Sequence, residues 1–319
     1  MTEPVLVADI GGTHARFALA RGLAVSAARI FRAQDFKTIA DAAKAYLAAE
    51  GATPARGCFA VAGPVTDDAV EFTNSPWVLD IAQTANALSF YRCLAVNDFE
   101  ALAWGLRALT DADFVTVKPG AGDPSAPVLV MGPGTGLGQA LIVPFNGKVR
   151  VIATEGGHVG FAPETDEEIA VLKFLSAGHS RVSIERLLSG EGVVNLYRAR
   201  CAIAGVAPSL SQAEKITAAA IAGADAEAAR ALDLFCALLG RAAGDAVLSS
   251  GARGGVVLGG GILPKIRDYF LASRFVDCFL DKGRMRDYVA GVPVRLIVSD
   301  GAALKGAAAI AQEKFGTAI

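Results

Sequence analysis

Apolar runs that lead into glycine-rich turns recur along the chain. The run VLVADI at 5–10 passes through GGTHA into RFALA at 16–20, which predicts two strands joined by an unusually polar hairpin turn. The segment VLVMGPGTGLGQALIV at 128–143 repeats this design about 120 residues later. Two such hairpins predict a duplicated architecture of two related halves.

Short apolar strands alternate with segments of helical spacing in the rest of the chain. Asp35 is the expected N-cap of the first helix, Gly51 lies just past its end, and Ser189 is placed to cap a helix after a break. The alternation predicts an α/β protein whose second half is the larger. The remaining strands are expected at 58–63, 93–98, 254–262 and 294–298, and the helices at about 35–50, 99–109, 166–176, 184–204, 211–222, 225–250, from 263 and from 301.

Composition narrows the class of protein. A chain of 319 residues has room for about two domains, and 53% hydrophobic with 19% charged residues is typical of a soluble globular protein. A net charge of -2 without basic or acidic blocks argues against nucleic acid and membrane surfaces as partners. The uncharged stretch 124–147 contains four prolines and five glycines, so it predicts two strands around a loop and not a transmembrane helix.

The cysteines and the first residues predict a cytoplasmic location. Five scattered cysteines without a CxxC pair indicate reduced thiols, with neither a disulfide framework nor a zinc site. Glu3 and Asp9 stand where a signal peptide would carry positive charge followed by an apolar run.

Three glycine loops follow strands and predict phosphate binding. They are DIGGTHAR (9–16), GPGTGLGQ (132–139) and LGGGIL (258–263), and glycines there let backbone N–H groups converge on an anion. None has the lysine of a P-loop or the spacing GxGxxG. Thr13 and Thr135 add hydroxyl donors, and Asp9 at the mouth of the first loop suits a Mg²⁺ ion between carboxylate and phosphate. We therefore expect ATP binding, although any one loop alone could be a tight hairpin turn.

Polar side chains at a strand end form a second candidate feature. Asn97 and Asp98 follow the strand at 93–98 and precede a helix, so either could be an N-cap. Ligands of open α/β sheets bind at such carboxyl ends, and an Asp there could deprotonate an attacking hydroxyl in phosphoryl transfer.

The segment ATEGGHVGF (153–161) raises three alternatives for His158. With Glu155 it could form half of a metal site, it could be a packed core histidine, or the pair could bind the hydroxyls of a polyol. Two consecutive glycines disfavour a helix, and no second ExxH or cysteine cluster completes a metal shell. Glu185 by itself would be taken as an acid at a helix start.

Taken together, the motifs resemble those of the bacterial glucokinase family, within the actin–hexokinase–heat-shock-chaperone ATPase superfamily. The resemblance runs from end to end through ADIGGTHARFAL, AVAGPV, TNSPWVL, VNDFEALAWG, GPGTGLG, TEGGHVGFAP, SIERLLSGEG, NLYRA and LGGGI. It implies a two-domain ribonuclease-H-like fold, with a cleft between a small domain (1–109 plus 300–319) and a larger one (110–299). It also implies ATP- and Mg²⁺-dependent phosphorylation of the glucose 6-hydroxyl, the first step of glycolysis.

The resemblance assigns roles to particular residues. Asp98 matches the catalytic base, and the other sugar contacts are Asn97, Glu155, His158 and Glu185. Asp9 would hold Mg²⁺ through water. The phosphate and adenosine contacts would be Gly11, Gly12 and Thr13 in the first loop, Gly134, Thr135 and Gly136 in the second, and Gly259, Gly260 and Gly261 in the third.

One departure and two alternatives accompany the resemblance. Many members carry Asn where this chain has His14, which puts the detail of the first turn in doubt. The related repressor–kinase branch has a cysteine-rich zinc site, and without clustered cysteines no structural zinc is expected here. The alternatives are a kinase for another hexose, such as mannose, fructose or an amino sugar, and a non-catalytic sugar-sensing regulator. Such kinases are commonly dimers, so a homodimer is a further expectation.

Overall fold

The computed structural model describes residues 3–63, 65, 69–71 and 77–316. Pro64 and residues 73–76, which belong to two of the motifs quoted above, lie outside these ranges. The described strands are β1 (Val5–Ile10), β2 (His14–Arg21), β3 (Ala24–Val25), β4 (Arg29–Arg32), β5 (Arg56–Val61), β6 (Ala69–Glu71), β7 (Val78–Asp80), β8 (Arg92–Asn97), β9 (Phe114–Lys118), β10 (Val128–Pro133), β11 (Leu137–Phe145), β12 (Lys148–Thr154), β13 (Gly255–Leu258) and β14 (Val294–Ile297). The described α-helices are α1 (Ile39–Glu50), α2 (Ile81–Leu88), α3 (Asp98–Gly105), α4 (Asp166–Ser176), α5 (Gly190–Ala204), α6 (Ala213–Ile221), α7 (Ala226–Ser250), α8 (Arg267–Leu271), α9 (Phe275–Leu280), α10 (Arg286–Ala290) and α11 (Ala302–Phe315).

The chain divides into two compact units. Unit 1 comprises Met1–Asp113 and Ser299–Ile319, and unit 2 comprises Phe114–Val298. The limits expected from the resemblance, 109 and 300, lie beside these positions. Each unit has its own sheet and its own hydrophobic core.

The sheet of unit 1 is mixed and is covered on both faces. Its strand order is β3–β2–β1–β5–β8, with β4 also paired to β2. Strand β1 runs antiparallel to β2 and parallel to β5, and β5 runs parallel to β8. Leu6 and Ile10 of β1 belong to the core shared with α1, whereas Val5 and Val7 belong to the core shared with α11. Successive side chains of a strand point to opposite faces, so a strand covered on both faces has consecutive apolar residues, as in Val5–Ala8.

Helix α11 packs directly on α3 in unit 1. A Cβ atom on Gly306 would collide with the carbonyl oxygen of Ala101, and one on Gly105 with that of Ala302. The two helix backbones therefore touch without intervening side chains. Helix α3 begins at Asp98, so the helix that carries this candidate residue is held in place by its packing on α11.

The sheet of unit 2 repeats the design of unit 1. Its order is β12–β11–β10–β13–β14–β9, with antiparallel β12/β11 and β11/β10 pairs followed by parallel β10/β13 and β13/β14 pairs. The same succession of directions occurs along β3–β2–β1–β5–β8. The predicted duplication is confirmed, and β9 is an additional antiparallel strand on β14.

Most predicted elements form, and one start signal is wrong. Helix α1 begins at Ile39 with Thr38 as N-cap, whose hydroxyl accepts a hydrogen bond from the Asp41 N–H, whereas Asp35 lies in a separate 3₁₀ turn. Residues 36–38 intervene between the two elements, so Asp35 is three residues too early. Gly51 ends the helix with φ +60, as expected of a C-terminal glycine.

The stretch 124–147 forms β10 and β11 around a turn, as predicted. Within the described ranges, no helix combines the length and the apolar character needed to cross a bilayer.

Candidate active site

Loop 1, residues 11–13, joins β1 and β2 in unit 1 and presents backbone donors. The Gly11 N–H donates to the His14 carbonyl oxygen at 2.9 Å, which closes the turn. In the described part of the chain, the N–H groups of Gly12 and Thr13 have no hydrogen-bond acceptor. The Thr13 hydroxyl lies 3.0 Å from the His14 Nδ1, so His14 orients the hydroxyl that was predicted to bind phosphate.

Asp9 is the penultimate residue of β1 and lies directly across the hairpin from Arg16. Arg16 donates to the Asp9 carboxylate at 3.4 Å. Burial raises the pKa of Asp9, and the nearby Arg16 charge and hydrogen bond oppose this shift. The sequence reasoning missed Arg16, although its position opposite Asp9 follows from the hairpin register.

Loop 2, residues 134–136, has the same design in unit 2. The Gly134 N–H donates to the Gly136 carbonyl oxygen at 2.8 Å, and the Gly134 carbonyl accepts from the Gly190 N–H at 2.9 Å. Among the described residues, no acceptor is found for the N–H groups of Thr135 and Gly136. Thr135 is exposed, so two backbone donors and a hydroxyl are available to one anion.

Loop 3, residues 259–261, lies beside loop 2 because β13 pairs in parallel with β10. The Gly259 N–H donates to the Met131 carbonyl at 2.9 Å, and the Gly261 nitrogen lies 4.0 Å from the Cβ position of Gly134. Gly260 has φ +84, a left-handed conformation that favours glycine. The structure therefore brings the second and third predicted loops together, as a nucleotide with several phosphates would require.

Asn97 is the N-cap of α3, which is one of the two alternatives raised by the sequence. Its Oδ1 accepts from the N–H groups of Phe99 (2.9 Å) and Glu100 (3.2 Å), and its Nδ2 donates to the Gly63 carbonyl at 3.2 Å. The adjacent Asp98 carboxylate also accepts from the Phe99 N–H at 2.9 Å. Both side chains are thus held at the carboxyl end of β8, at the start of a helix whose dipole favours an anionic carboxylate.

The segment with Glu155 and His158 forms a single 3₁₀ turn, Gly156–His158, and not an α-helix. A Cβ atom on Gly157 would collide with the backbone of Leu137 in β11, and one on Gly156 with the side chain of Gln139. The two glycines thus let the turn lie against the strand. Gln139 was not predicted as part of the site. The one signal for it in the sequence was a polar residue within the otherwise apolar run of β11.

Glu185 completes a carboxylate–imidazole cluster with Glu155 and His158. The Nε2 atom of His158 lies 3.7 Å from the Glu155 carboxylate, and its Nδ1 atom lies 4.0 Å from the Glu185 Oε1. The side chains of His158 and Glu155 are 59% and 57% exposed, so the alternative of a packed core histidine is wrong. Three of the predicted sugar contacts therefore meet at one accessible place in unit 2.

The sequence alone suggested that Glu185 is an acid at the start of a helix. The structure shows that it does not cap a helix. It lies in the 3₁₀ turn Ile184–Arg186, and its Oε2 accepts from the Leu137 N–H at 2.8 Å, directly after loop 2. Helix α5 is capped instead by Ser189, whose hydroxyl accepts from the Gly192 N–H at 3.0 Å, as predicted.

In the described part of the chain, no group of three or more His, Cys, Asp or Glu side chains is arranged to hold a metal ion. Glu185 lies beside the Glu155–His158 pair, but these three side chains are not arranged as metal ligands. The Asp9 carboxylate lies two residues before Gly11 of loop 1.

Two mixed sheets of one design, each with a glycine hairpin that offers backbone donors to an anion, indicate a phosphotransferase of the actin–hexokinase ATPase type. Comparison with known proteins narrows this class. The family model described as Glucokinase matches residues 6–314. The chain belongs to the Glucokinase family, which confirms the resemblance found in its motifs.

Individual relatives cover nearly the whole chain. A Glucokinase of Marinobacter nauticus is 44% identical over 306 residues, which are 95% of either protein. The crystal structure of a glucokinase from an Antarctic psychrotroph has a TM-score of 0.84 at 38% identity and covers 98% of this chain and 100% of its own. A glucokinase of Balamuthia mandrillaris, solved in complex with glucose, has a TM-score of 0.81 at 22% identity, with 97% and 93% covered, which supports the fold alone.

Proposed function

We propose that the chain transfers the γ-phosphoryl group of ATP to the 6-hydroxyl of D-glucose, giving glucose 6-phosphate and ADP. The observation that carries this proposal is the carboxylate–imidazole cluster beside loop 2. Glu155, His158 and Glu185 supply acceptors and a donor for vicinal hydroxyls, and Glu185 is in direct contact with the residue that follows the loop. A polyol and a phosphate chain are the ligands that this combination fits.

Asp98 is proposed as the general base. It would accept the proton of the 6-hydroxyl as the oxygen attacks phosphorus, a contribution of about 10²–10⁴ in rate. Its hydrogen bond from the Phe99 N–H fixes the carboxylate at the start of α3. Asn97 uses its amide oxygen on the helix and one amide hydrogen on Gly63, and its second amide hydrogen is proposed to donate to the sugar.

The phosphates of ATP are proposed to bind the glycine loops. Gly11, Gly12 and Thr13 supply backbone and hydroxyl donors in unit 1. Loops 2 and 3 supply the corresponding donors in unit 2, through Gly134, Thr135 and Gly136 and through Gly259, Gly260 and Gly261. Preorganised N–H groups stabilise the charge that spreads over the phosphate oxygens in the transition state.

Asp9 fits a role in holding Mg²⁺ through water. Its carboxylate is the hard oxygen ligand that Mg²⁺ prefers, and one carboxylate suits an ion that keeps several waters and binds phosphate oxygens. Arg16 donates to only one of the two carboxylate oxygens, the Oδ2 atom. When bound, Mg²⁺ would neutralise part of the charge on the phosphates.

The test replaces Asp98 with Asn. Glucose affinity, measured by calorimetry, should be retained, while kcat for glucose 6-phosphate formation should fall by at least about 10²-fold. A variant with near-wild-type turnover would remove Asp98 from the role of base.

The sugar itself is tested by a coupled assay with glucose, mannose, fructose and glucosamine. A few hydroxyl contacts set the preference among hexoses, so the comparison is made on kcat/KM for each sugar. Higher kcat/KM for a sugar other than glucose would reassign the substrate. ADP release that is independent of every sugar would instead favour a regulatory ATPase.

We further propose that this reaction takes place in the cytoplasm as the entry to glycolysis, and that the protein is a homodimer. All five cysteines are unpaired, which suits a reducing compartment. The dimer is tested by light scattering, where a mass near the 32.7 kDa of one chain would reject it.

A further inference from the structure

Glu185 contacts two parts of the candidate site at once. One carboxylate oxygen, Oε2, accepts the Leu137 N–H at 2.8 Å, immediately after loop 2. The other, Oε1, lies 4.0 Å from the His158 Nδ1 and belongs to the cluster proposed to bind the sugar. The side chain is 28% exposed, so it is accessible from the cluster and yet held by the protein.

Loop 2 has no spare room next to this carboxylate. A Cβ atom on Gly136 would lie 3.2 Å from the Glu185 carboxyl carbon and would collide with its Oε2 atom. The other end of the loop is fixed by the Gly190 N–H, which donates to the Gly134 carbonyl. Loop 2 is thus held at one end by a helix start and at the other by a single carboxylate.

We propose that Glu185 couples sugar binding to nucleotide binding, as a positioning residue for loop 2. This inference rests on the proposed function. A sugar hydroxyl that donates to Oε1 fixes the carboxylate, and the fixed Oε2 then holds the Leu137 N–H and the adjoining donors of Thr135 and Gly136 in place. Glucose therefore raises nucleotide affinity, and by linkage the nucleotide raises glucose affinity by the same factor.

The test measures ADP–Mg²⁺ binding by calorimetry, with and without saturating glucose, in Glu185→Gln and Glu185→Ala. In the absence of glucose, Glu185→Ala should raise the Kd for ADP about tenfold, which is about 1.4 kcal/mol. Glu185→Gln keeps a neutral acceptor for the Leu137 N–H, so we expect a smaller rise of about threefold. In both variants the increase of ADP affinity by glucose should disappear.

Glu155→Gln is the matched control. Glu155 belongs to the same cluster and lies 3.7 Å from the His158 Nε2, but its contact is with His158 and not with loop 2. It should weaken glucose binding, leave the Kd for ADP without sugar unchanged, and retain the coupling once glucose is saturating.

Two outcomes would overturn the proposal. Glu185 variants that bind ADP as the wild type does and change only glucose affinity would make Glu185 an ordinary sugar contact. Equal loss of ADP affinity in Glu155→Gln would assign the effect to the cluster's charge. If the wild-type protein forms no sugar phosphate, the proposed function itself is rejected. If the wild-type protein turns over normally and either of the two outcomes above is found, only the coupling is rejected.

Discussion

The packing of the Gly156–His158 turn on β11 predicts a large functional effect from one methyl group. In Gly157→Ala, the new Cβ would lie 3.1 Å from the Leu137 Cβ and 3.2 Å from the Leu137 carbonyl carbon. It would lie less than 3.0 Å from the Leu137 carbonyl oxygen, a separation that Cβ atoms in proteins essentially never have. One of the two segments must move by an amount on the order of 1 Å.

The turn is the segment that should move. Leu137 is paired with Pro133 in the β10/β11 ladder, and its N–H is held by Glu185. The turn is closed by the His158 N–H to Glu155 carbonyl bond at 3.0 Å and a longer one of 3.4 Å from Val159. Overpacking costs about 1–3 kcal/mol, and a misplacement of 1 Å at a substrate contact costs about 10²-fold in rate. We expect kcat/KM for glucose to fall by about 10²-fold.

The assay compares glucose phosphorylation with thermal unfolding in Gly157→Ala and Gly160→Ala. Gly160 belongs to the same segment, but its Cβ position is 3.9 Å from the nearest atom, a guanidinium nitrogen of Arg181, so alanine fits there. Gly160→Ala should therefore retain wild-type kcat/KM. If Gly157→Ala remains within about threefold of the wild type, or if both variants lose activity equally, the argument from close approach is wrong.

Three further predictions concern charge and thiols. Burial raises the pKa of Glu100 in α3, so its ionised form weakens the fold; Glu100→Gln should raise the urea midpoint at pH 8, with the gain shrinking as the pH falls towards 4.5. Arg241 pairs with the buried carboxylate of Glu168, so Arg241→Ala should lower the free energy of unfolding by about 3–5 kcal/mol by leaving that charge unpaired. The double variant Arg241→Met with Glu168→Met should recover most of this loss, as measured by urea unfolding. Burial raises the pKa of Cys93 and of Cys236 to about 12, so neither should react with iodoacetamide at pH 8 until the protein is unfolded, as mass spectrometry of labelled peptides would show.

The strands and loops were largely predictable, because the signals that form them are local. Apolar runs on both sides of a glycine turn define each hairpin, and the two hairpins define the duplicated design. Strand β12 was missed because it is an edge strand whose residues are mostly exposed, so Lys148 and Arg150 interrupt the apolar pattern. The start of α1 was misplaced because two capping residues, Asp35 and Thr38, stand three positions apart.

The contacts that organise the site were not predictable from spacing. Glu155 and His158 were candidates because they share one short segment, but Glu185 follows 27 residues later and reaches them only through the tertiary packing of two 3₁₀ turns. The hydrogen bond from the Leu137 N–H to Glu185 joins positions 48 residues apart. Because every residue except proline has a backbone N–H, the residue types do not show which one donates to Glu185. The need for glycine at 156 and 157 was likewise not predictable, because it comes from close packing against strand β11, which is distant in the sequence.

The direct contact of α11 with α3 has a consequence for the synthesis of the protein. The two helices are separated by nearly 200 residues of chain, so at a usual ribosomal rate α11 emerges roughly 10–40 s after α3. Until then the inner face of α3, with Ala101 and Gly105, lacks its neighbour. We therefore expect the sheet of unit 1 to form early in translation, and the helix that holds Asp98 to become fixed only when almost the whole polypeptide has been made.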